Sequence, residues 1–232
     1  MTAEVAAAGA DDPSASRRND DPSDPRRHAD ASWRERKKQQ TRTALHRAAV
    51  TMVAERGIGG VTTEEIAEQA GVSARTFFNY FPTKESAVLG MGPDEPDRVA
   101  GWLTEQPDDV SPAEAVRACF TRFALDLAAD EELWRLRRKV VRSDPTMMQA
   151  MASVSAAVER RVTEALADRL GVDADDDLRP GLLVSITWAA VRTGTSHSRE
   201  HQIPVGDAIR EALELMDSLM TSADGPTAST PG

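Results

Sequence analysis

Residues 62–85, TTEEIAEQAGVSARTFFNYFPTKE, decide the fold. Thr62 precedes Ile66, Ala67 and Ala70, which recur at the spacing of one helix face. Glu65 stands three residues after Thr62, the capping-box arrangement in which the threonine hydroxyl takes a backbone N–H and the glutamate reaches back. Gly71 stops that helix. Ser73 is placed to cap a second helix, which Pro82 closes. The two segments, 62–70 and 73–81, joined by Gly71-Val72, read as a helix-turn-helix whose second member has the compact form that enters a DNA major groove. Phe77 and Phe81 are expected to pack inward against Ile66 and Val53.

Upstream, Leu45, Ala48, Ala49, Met52 and Val53 follow the i, i+3, i+4, i+7, i+8 pattern of a buried helical stripe, and Gly57 ends it. Downstream, Thr83 opens a short fourth helix interrupted by Gly90, Gly92 and Pro93, where a pivot is expected. Further helices are expected near 95–105, 112–128, 131–142, 145–169, 177–199 and 205–221, with Pro112 and Pro145 at positions where helix starts tolerate proline. No stretch alternates at period two and none repeats. In 232 residues aromatics make up only 4%, too few, beside the abundance of Ala, Leu, Arg and Glu, for a sandwich or barrel. The fold expected is all-α, an N-terminal three-helix DNA-binding head over 32–90 and a larger helical body over 91–221. Residues 1–31 and 222–232 lack the large apolar side chains needed to offset ordering entropy and are expected to be a disordered arm and tail.

The net charge of −10 conceals a split. Residues 33–89 hold nine basic and six acidic side chains, whereas 90–232 hold fifteen and twenty-five. Arg34, Arg36, Lys37, Lys38, Arg42 and Arg47 fall within fourteen residues. A basic contact module joined to an acidic body is one reading; a solvated helix face is the commoner one. The lone Cys119 excludes an internal disulfide, a Cys-rich zinc site and an iron–sulfur cluster. The longest apolar run, 181–191, is too short to span a bilayer, which takes about 20 residues, and the N-terminus has no apolar signal region. A cytoplasmic protein with no membrane partner is expected. His197 and His201 share metal-ligand spacing but have no evident third ligand, so no metal is assigned. There is no Gly-rich phosphate loop and no Ser/His/Asp arrangement, so neither enzyme activity nor a cofactor is expected.

From Gly57 through TTEEIAEQAGVS to RTFFNYFPTKE, and over about residues 38–89, the sequence resembles the TetR/AcrR family of bacterial transcriptional regulators. The resemblance implies that the third helix reads bases, with Ser73, Ala74, Arg75, Thr76 and Asn79 on the reading face. Among these, Arg75 is the side chain best suited to guanine O6 and N7. It further implies phosphate contacts by Tyr80, Lys84 and the helix starts, with Thr62 or Thr63 and Arg42 behind them. The family often has Gly where Arg75 stands and Tyr where Phe78 stands, and Phe78 has no hydroxyl for a phosphate. The RTFFNYF variant is similar to an actinobacterial subgroup that includes regulators near mycofactocin genes, some responsive to fatty acyl-coenzyme A.

The resemblance also implies a repressor that binds a palindromic operator as a homodimer, its reading helices about 34–36 Å apart, and releases it on binding a small-molecule effector. Two long helices carry apolar residues suited to pairing with their copies. Leu178, Leu182, Leu183, Ile186, Ala189 and Ala190 lie on one; Ile209, Leu213, Met216 and Met220 lie on the other. Trp102, Phe120, Phe123, Trp134, Met147, Met148, Met151 and Trp188 are the large side chains from which an apolar pocket can be lined. Arg135, Arg137, Arg138, Lys139 and Arg142 are either a solvated face paired to Glu131, Glu132 and Asp144, the plainer reading, or, with Arg138 foremost, the anion-binding mouth of that pocket. A ligand-independent, architectural DNA-binding protein is the alternative function.

Overall fold

The computed structural model describes residues 25–222, and no strand occurs among them. The helices are α1 (Pro25–Arg56), α2 (Thr63–Gln69), α3 (Ala74–Tyr80), α4 (Lys84–Leu89), α5 (Glu95–Thr104), α6 (Pro112–Ala128), α7 (Glu131–Ser143), α8 (Pro145–Leu170), α9 (Leu178–His201) and α10 (Val205–Ser222). The chain divides at Gln40. Before it lie the opening turns of α1, with Trp33 exposed; the unit from Thr41 onward contains everything discussed below. The expected arm through residue 24 and the tail from residue 223 lie outside the described residues. Residues 25–31, also assigned to the arm, are helical, with Pro25 at the first helical position. Proline is at home there because its missing N–H has no helical partner.

Local chemistry sets the helix ends. The Thr62–Glu65 capping box forms in both directions. The Ser73 hydroxyl accepts the Thr76 N–H at 3.1 Å. Gly71, at φ +71°, takes the left-handed conformation that the turn requires. Ser111 and Glu114 form a further capping box, and Asp130, Asp144 and Asp177 cap α7, α8 and α9. Such caps each contribute about 1 kcal/mol.

Packing joins these helices through one apolar core running from Leu45 to Ile209, so residue 90 is not a gap in packing. Ile66, Phe77 and Phe81 are fully buried with Val53 beside them, as expected. Helix α5 packs on α8, and α9 packs on both α6 and α10. At Gly194 an added Cβ would fall 2.5 Å from the Ala208 carbonyl oxygen, so α9 and α10 meet backbone to backbone. The segment expected to be a pivot is also tightly packed. A Cβ on Gly90 would meet the His46 ring at 3.1 Å, and one on Gly92 would meet the Tyr80 carbonyl at 2.8 Å.

Glu95, 1% exposed at the start of α5, is the buried acid of this region. It pairs with Arg42 of α1 and with Arg98. Removing one member of a buried pair leaves the other charge without compensation. Glu95→Gln is therefore expected to lower unfolding free energy by about 3 kcal/mol, measured by urea denaturation, with Asp97→Asn at an exposed position of the same helix as control.

Candidate DNA-binding face and cavity

Helix α3 turns Phe77 into the core and leaves Ser73, Arg75, Phe78 and Asn79 exposed, with Ala74, Thr76 and Tyr80 half-buried. Arg75 makes no ion pair with another described residue. The Ser73 and Thr76 hydroxyls lie 2.9 Å apart, bonded to each other while Ser73 caps the helix. Phe78 is 53% exposed and meets Phe77 edge-on at 5.4 Å. Its ring shares the outward face with Arg75 and Asn79, an exposed aromatic to which the sequence assigned no contact beyond the phosphate bond that it lacks the hydroxyl to make.

The residues expected to grip phosphates fare differently. The Thr62 hydroxyl donates to Glu65 at 3.0 Å and the Thr63 hydroxyl to Glu64 at 3.0 Å. Arg56 pairs with Glu65 at 2.7 Å. That hydrogen bond, with those from Thr62, holds the Glu65 carboxyl down at about 2. Both hydroxyls are thus engaged with neighbouring glutamates, and since the capping box also takes the Thr62 and Glu65 N–H groups, the N–H groups of Thr63 and Glu64 are the remaining donors of the first turn. Lys84 donates from Nζ to the Val61 carbonyl at 3.0 Å. Arg42 departs furthest from expectation. Its guanidinium pairs with Glu95, reaches Asp94 at 3.4 Å and donates to Gly90 O at 3.2 Å. It also lies 5.8 Å from the Phe81 ring centroid. A side chain 11% exposed and so engaged braces the protein interior instead of a phosphate.

Arg42 is one of three basic side chains at the C-terminus of α4. Arg137 of α7 donates from Nη1 to Leu89 O at 2.7 Å. His46 of α1 lies with Nδ1 2.8 Å from Ala87 O; a carbonyl only accepts, so the neutral ring carries its proton on Nδ1. The last carbonyls of a helix tend to lack partners along the chain; here the Gly90 N–H reaches Ala87 O at 3.1 Å, and donors from α1 and α7 add to Ala87 and supply Leu89 and Gly90, favourably placed against the negative helix end.

Behind Arg137, helices α6, α7, α8 and α9 line a half-open cavity of about 220 Å3. Of the residues expected to line a pocket, Trp134, Arg138, Met151 and Trp188 do so, joined by Met91, Arg137, Arg142, Arg192 and Arg199. Phe120 and Phe123 stand behind Trp188, at 5.0 and 5.8 Å between ring centroids, and line neither this cavity nor the one beside it. Met147 is fully buried core. Trp102 lies elsewhere, with Arg98 and Arg122 over its ring at 4.6 and 4.2 Å. Large apolar side chains at helical spacing are core by default, and these four follow that rule. An adjoining cavity of about 540 Å3 shares Trp134, Arg138 and Arg199. The plainer reading of the α7 arginines does not hold for Arg137 and Arg138, which face the cavity, Arg137 only 2% exposed; Arg142 lines the cavity too but stays exposed. Burial pushes the Arg137 guanidinium down to about 9, with a further push from Arg138. Burial likewise lowers Arg138 to about 10, followed by Arg199 and Arg142.

Two family models match this chain. Residues 45–89 match bacterial regulatory proteins of the tetR family, and residues 110–221 match the MftR C-terminal domain. The HTH-type transcriptional regulator TcmR of Streptomyces glaucescens is 31% identical over 166 residues, covering 68% of this chain and 73% of TcmR. MftR of Mycobacterium tuberculosis, named for regulation of mycofactocin biosynthesis, is 19% identical over 181 residues, covering 78% of this chain and 91% of MftR. The crystal structure of a TetR transcriptional regulator from Rhodococcus sp. RHA1 aligns with a TM-score of 0.44 at 22% identity, over 79% of this chain and 97% of that one.

Acid probes the α4 terminus. Burial holds His46 down from 6.5 to about 4, against the hydrogen bond to Ala87 and with help from Arg137 and Arg42. A ring whose folded value lies below its unfolded one contributes its full stability above pH 6.5 and loses it as pH falls towards 4. Glu65, lowered from 4.5 to about 2, contributes its loss only at lower pH. The melting temperature is therefore expected to fall between pH 6.5 and 4.5, and His46→Gln, which keeps an N–H donor, to flatten that fall. An unchanged slope in the variant would remove His46 as its source.

Proposed function

Because the chain belongs to the TetR family of bacterial regulatory proteins, we propose that it represses transcription by binding a palindromic operator as a dimer and releases it when a small molecule fills the cavity behind Arg137. A DNA-binding transcriptional regulator, not an enzyme, is what this family membership establishes. No helix of the described residues is long and apolar enough to cross a membrane.

The observation that carries the reading is the outward face of α3, where Arg75, Asn79 and Phe78 stand exposed on a helix locked by its cap and by Phe77. In the proposed complex Arg75 bonds a guanine edge, Asn79 suits adenine and Phe78 packs on a thymine methyl. Ser73, Ala74 and Thr76 fit the groove closely, and Tyr80, Lys84 and the N–H group of Thr63 meet phosphates. The head over 32–90 thus supplies DNA contact, and the body over 91–221 supplies effector and dimer contacts.

Dimerisation is supported by apolar surface at the C-terminal end. Leu178 and Leu182 of α9 and Leu215, Leu219 and Met220 of α10 are each more than half exposed. Ile209, assigned to that surface from sequence, is instead fully buried. A second copy covers the outer residues in the manner of a four-helix bundle. For the effector we propose a fatty acyl compound, free or as its coenzyme A thioester. Met91, Met151, Trp134 and Trp188 suit an apolar chain, and the arginines suit its anionic groups.

Fluorescence anisotropy with the DNA upstream of the protein's own gene, against scrambled DNA at two salt concentrations, tests the whole reading. Sequence-dependent binding that a long-chain acyl compound abolishes is expected; equal affinity for both DNAs would overturn it. Arg75→Ala is expected to weaken operator binding by about 1–3 kcal/mol and to relax specificity at one base pair. Leu182→Glu combined with Leu219→Glu is expected to turn a sedimenting dimer into a folded monomer.

A further inference from the structure

The cavity wall has a one-sided chemistry. Arg137, Arg138, Arg142, Arg192 and Arg199 line it, and none forms an ion pair with another described residue. Glu200 lies near Arg138 and Arg199, and Glu159 near Arg192, without reaching pairing distance. Arg137 is the most deeply placed. Its Nη1 is bonded to a neutral carbonyl and its Nε has no partner. Trp188 Nε1, another buried donor on the same wall, also lacks a partner. The Thr195 hydroxyl already donates to Val191 O at 2.6 Å, and Ser196 accepts from Arg199 at 3.1 Å.

A buried guanidinium without an anion is costly, and arginine does not escape the cost by losing its proton at neutral pH. The Trp134 ring, 4.3 Å from Arg137, offers partial relief only. A wall of unsatisfied donors is matched by a group that only accepts, and a carboxylate does so with two oxygens and a full negative charge. The remaining wall is apolar. At about 220 Å3 the chamber exceeds the ~150 Å3 that holds a benzene, yet it has no room for a nucleotide.

We infer that the effector is an apolar molecule ending in a carboxylate, and that Arg137 receives that carboxylate inside the cavity. The inference rests on the cavity being the effector site. It separates the two acyl sources, because a coenzyme A thioester has only a neutral carbonyl to offer Arg137, its phosphates falling to the adjoining cavity of Arg135, Arg138 and Arg199 or to solvent. It also gives the ligand a direct line to the head. The guanidinium that turns to the carboxylate is the one that holds Leu89 O at the end of α4, and Met91, two residues further on, lines the same chamber.

The test is a tryptophan-fluorescence titration of the full chain, since Trp134 and Trp188 line the cavity, with decanoate against decanol, 2-naphthoate against 2-naphthol, and decanoyl-coenzyme A. Each acid of a binding pair is expected to bind about ten- to a hundredfold tighter than its alcohol, and Arg137→Gln to abolish that preference while keeping the alcohol's affinity. Equal binding of acid and alcohol in both pairs overturns the inference, as does decanoyl-coenzyme A binding where decanoate does not. The acid–alcohol comparison on the unmodified protein decides the matter even if Arg137→Gln fails to fold. Operator anisotropy run in parallel keeps the two readings apart. Alcohols that bind and release DNA as well as the acids overturn the carboxylate and leave the repressor standing. Acids that bind through Arg137 without releasing DNA uphold the carboxylate and overturn the repressor.

Discussion

The three basic side chains at the end of α4 are the constraint on which the arrangement depends. A six-residue helix cannot satisfy its last carbonyls from within. Arg42, His46 and Arg137 reach them from α1 and α7, at Gly90, Ala87 and Leu89. Glu95 keeps Arg42 in place. Gly90 accepts a left-handed conformation and presents no side chain, which is what lets the His46 ring approach. The joint between the helix-turn-helix and the cavity therefore adds directed polar bonds to the apolar core around Val88 and Leu89. Such bonds, like the packed core around them, switch between discrete arrangements and do not deform gradually.

Much of the fold was legible because it is local. The caps at Thr62, Ser73 and Thr83, the prolines Pro112 and Pro145 and the stops at Gly71 and Gly90 are written within four residues of the helix ends they set. The start of α1 was not legible. Residues 25–31 have no face to bury, and composition alone argued for disorder, but a segment continuous with an existing helix avoids the cost of nucleation. Arg42 was misassigned because its partners, Asp94 and Glu95, lie far along the chain, and charge in a basic cluster gives no hint of them. Arg137 had a signal that went unused. It falls between Leu133 and Val140 on the buried stripe of α7, where an arginine has no business unless something there needs a cation.

The candidate site divides along the same line. Trp134, Arg138, Met151 and Trp188 were recognisable as large or charged residues on facing helices. Trp102, Phe120, Phe123 and Met147 had equal claims, and only the phases of α5, α6 and α8 against their neighbours sent them into core. On the DNA side, the hydroxyls of Thr62 and Thr63 show that one polar atom seldom has two duties. The bonds that fix the helix starts use up the groups that recognition by analogy assigns to phosphates.

Gly194 bears on how motion is distributed through the molecule. With backbone lying against backbone where α9 crosses α10, neither helix can slide along the other without collision. The pair behaves as a stiff chassis, with no space for a side chain at the crossing. A bulkier residue at 194 would thus alter the angle at which two copies stand to each other before it altered anything in the reading helices themselves.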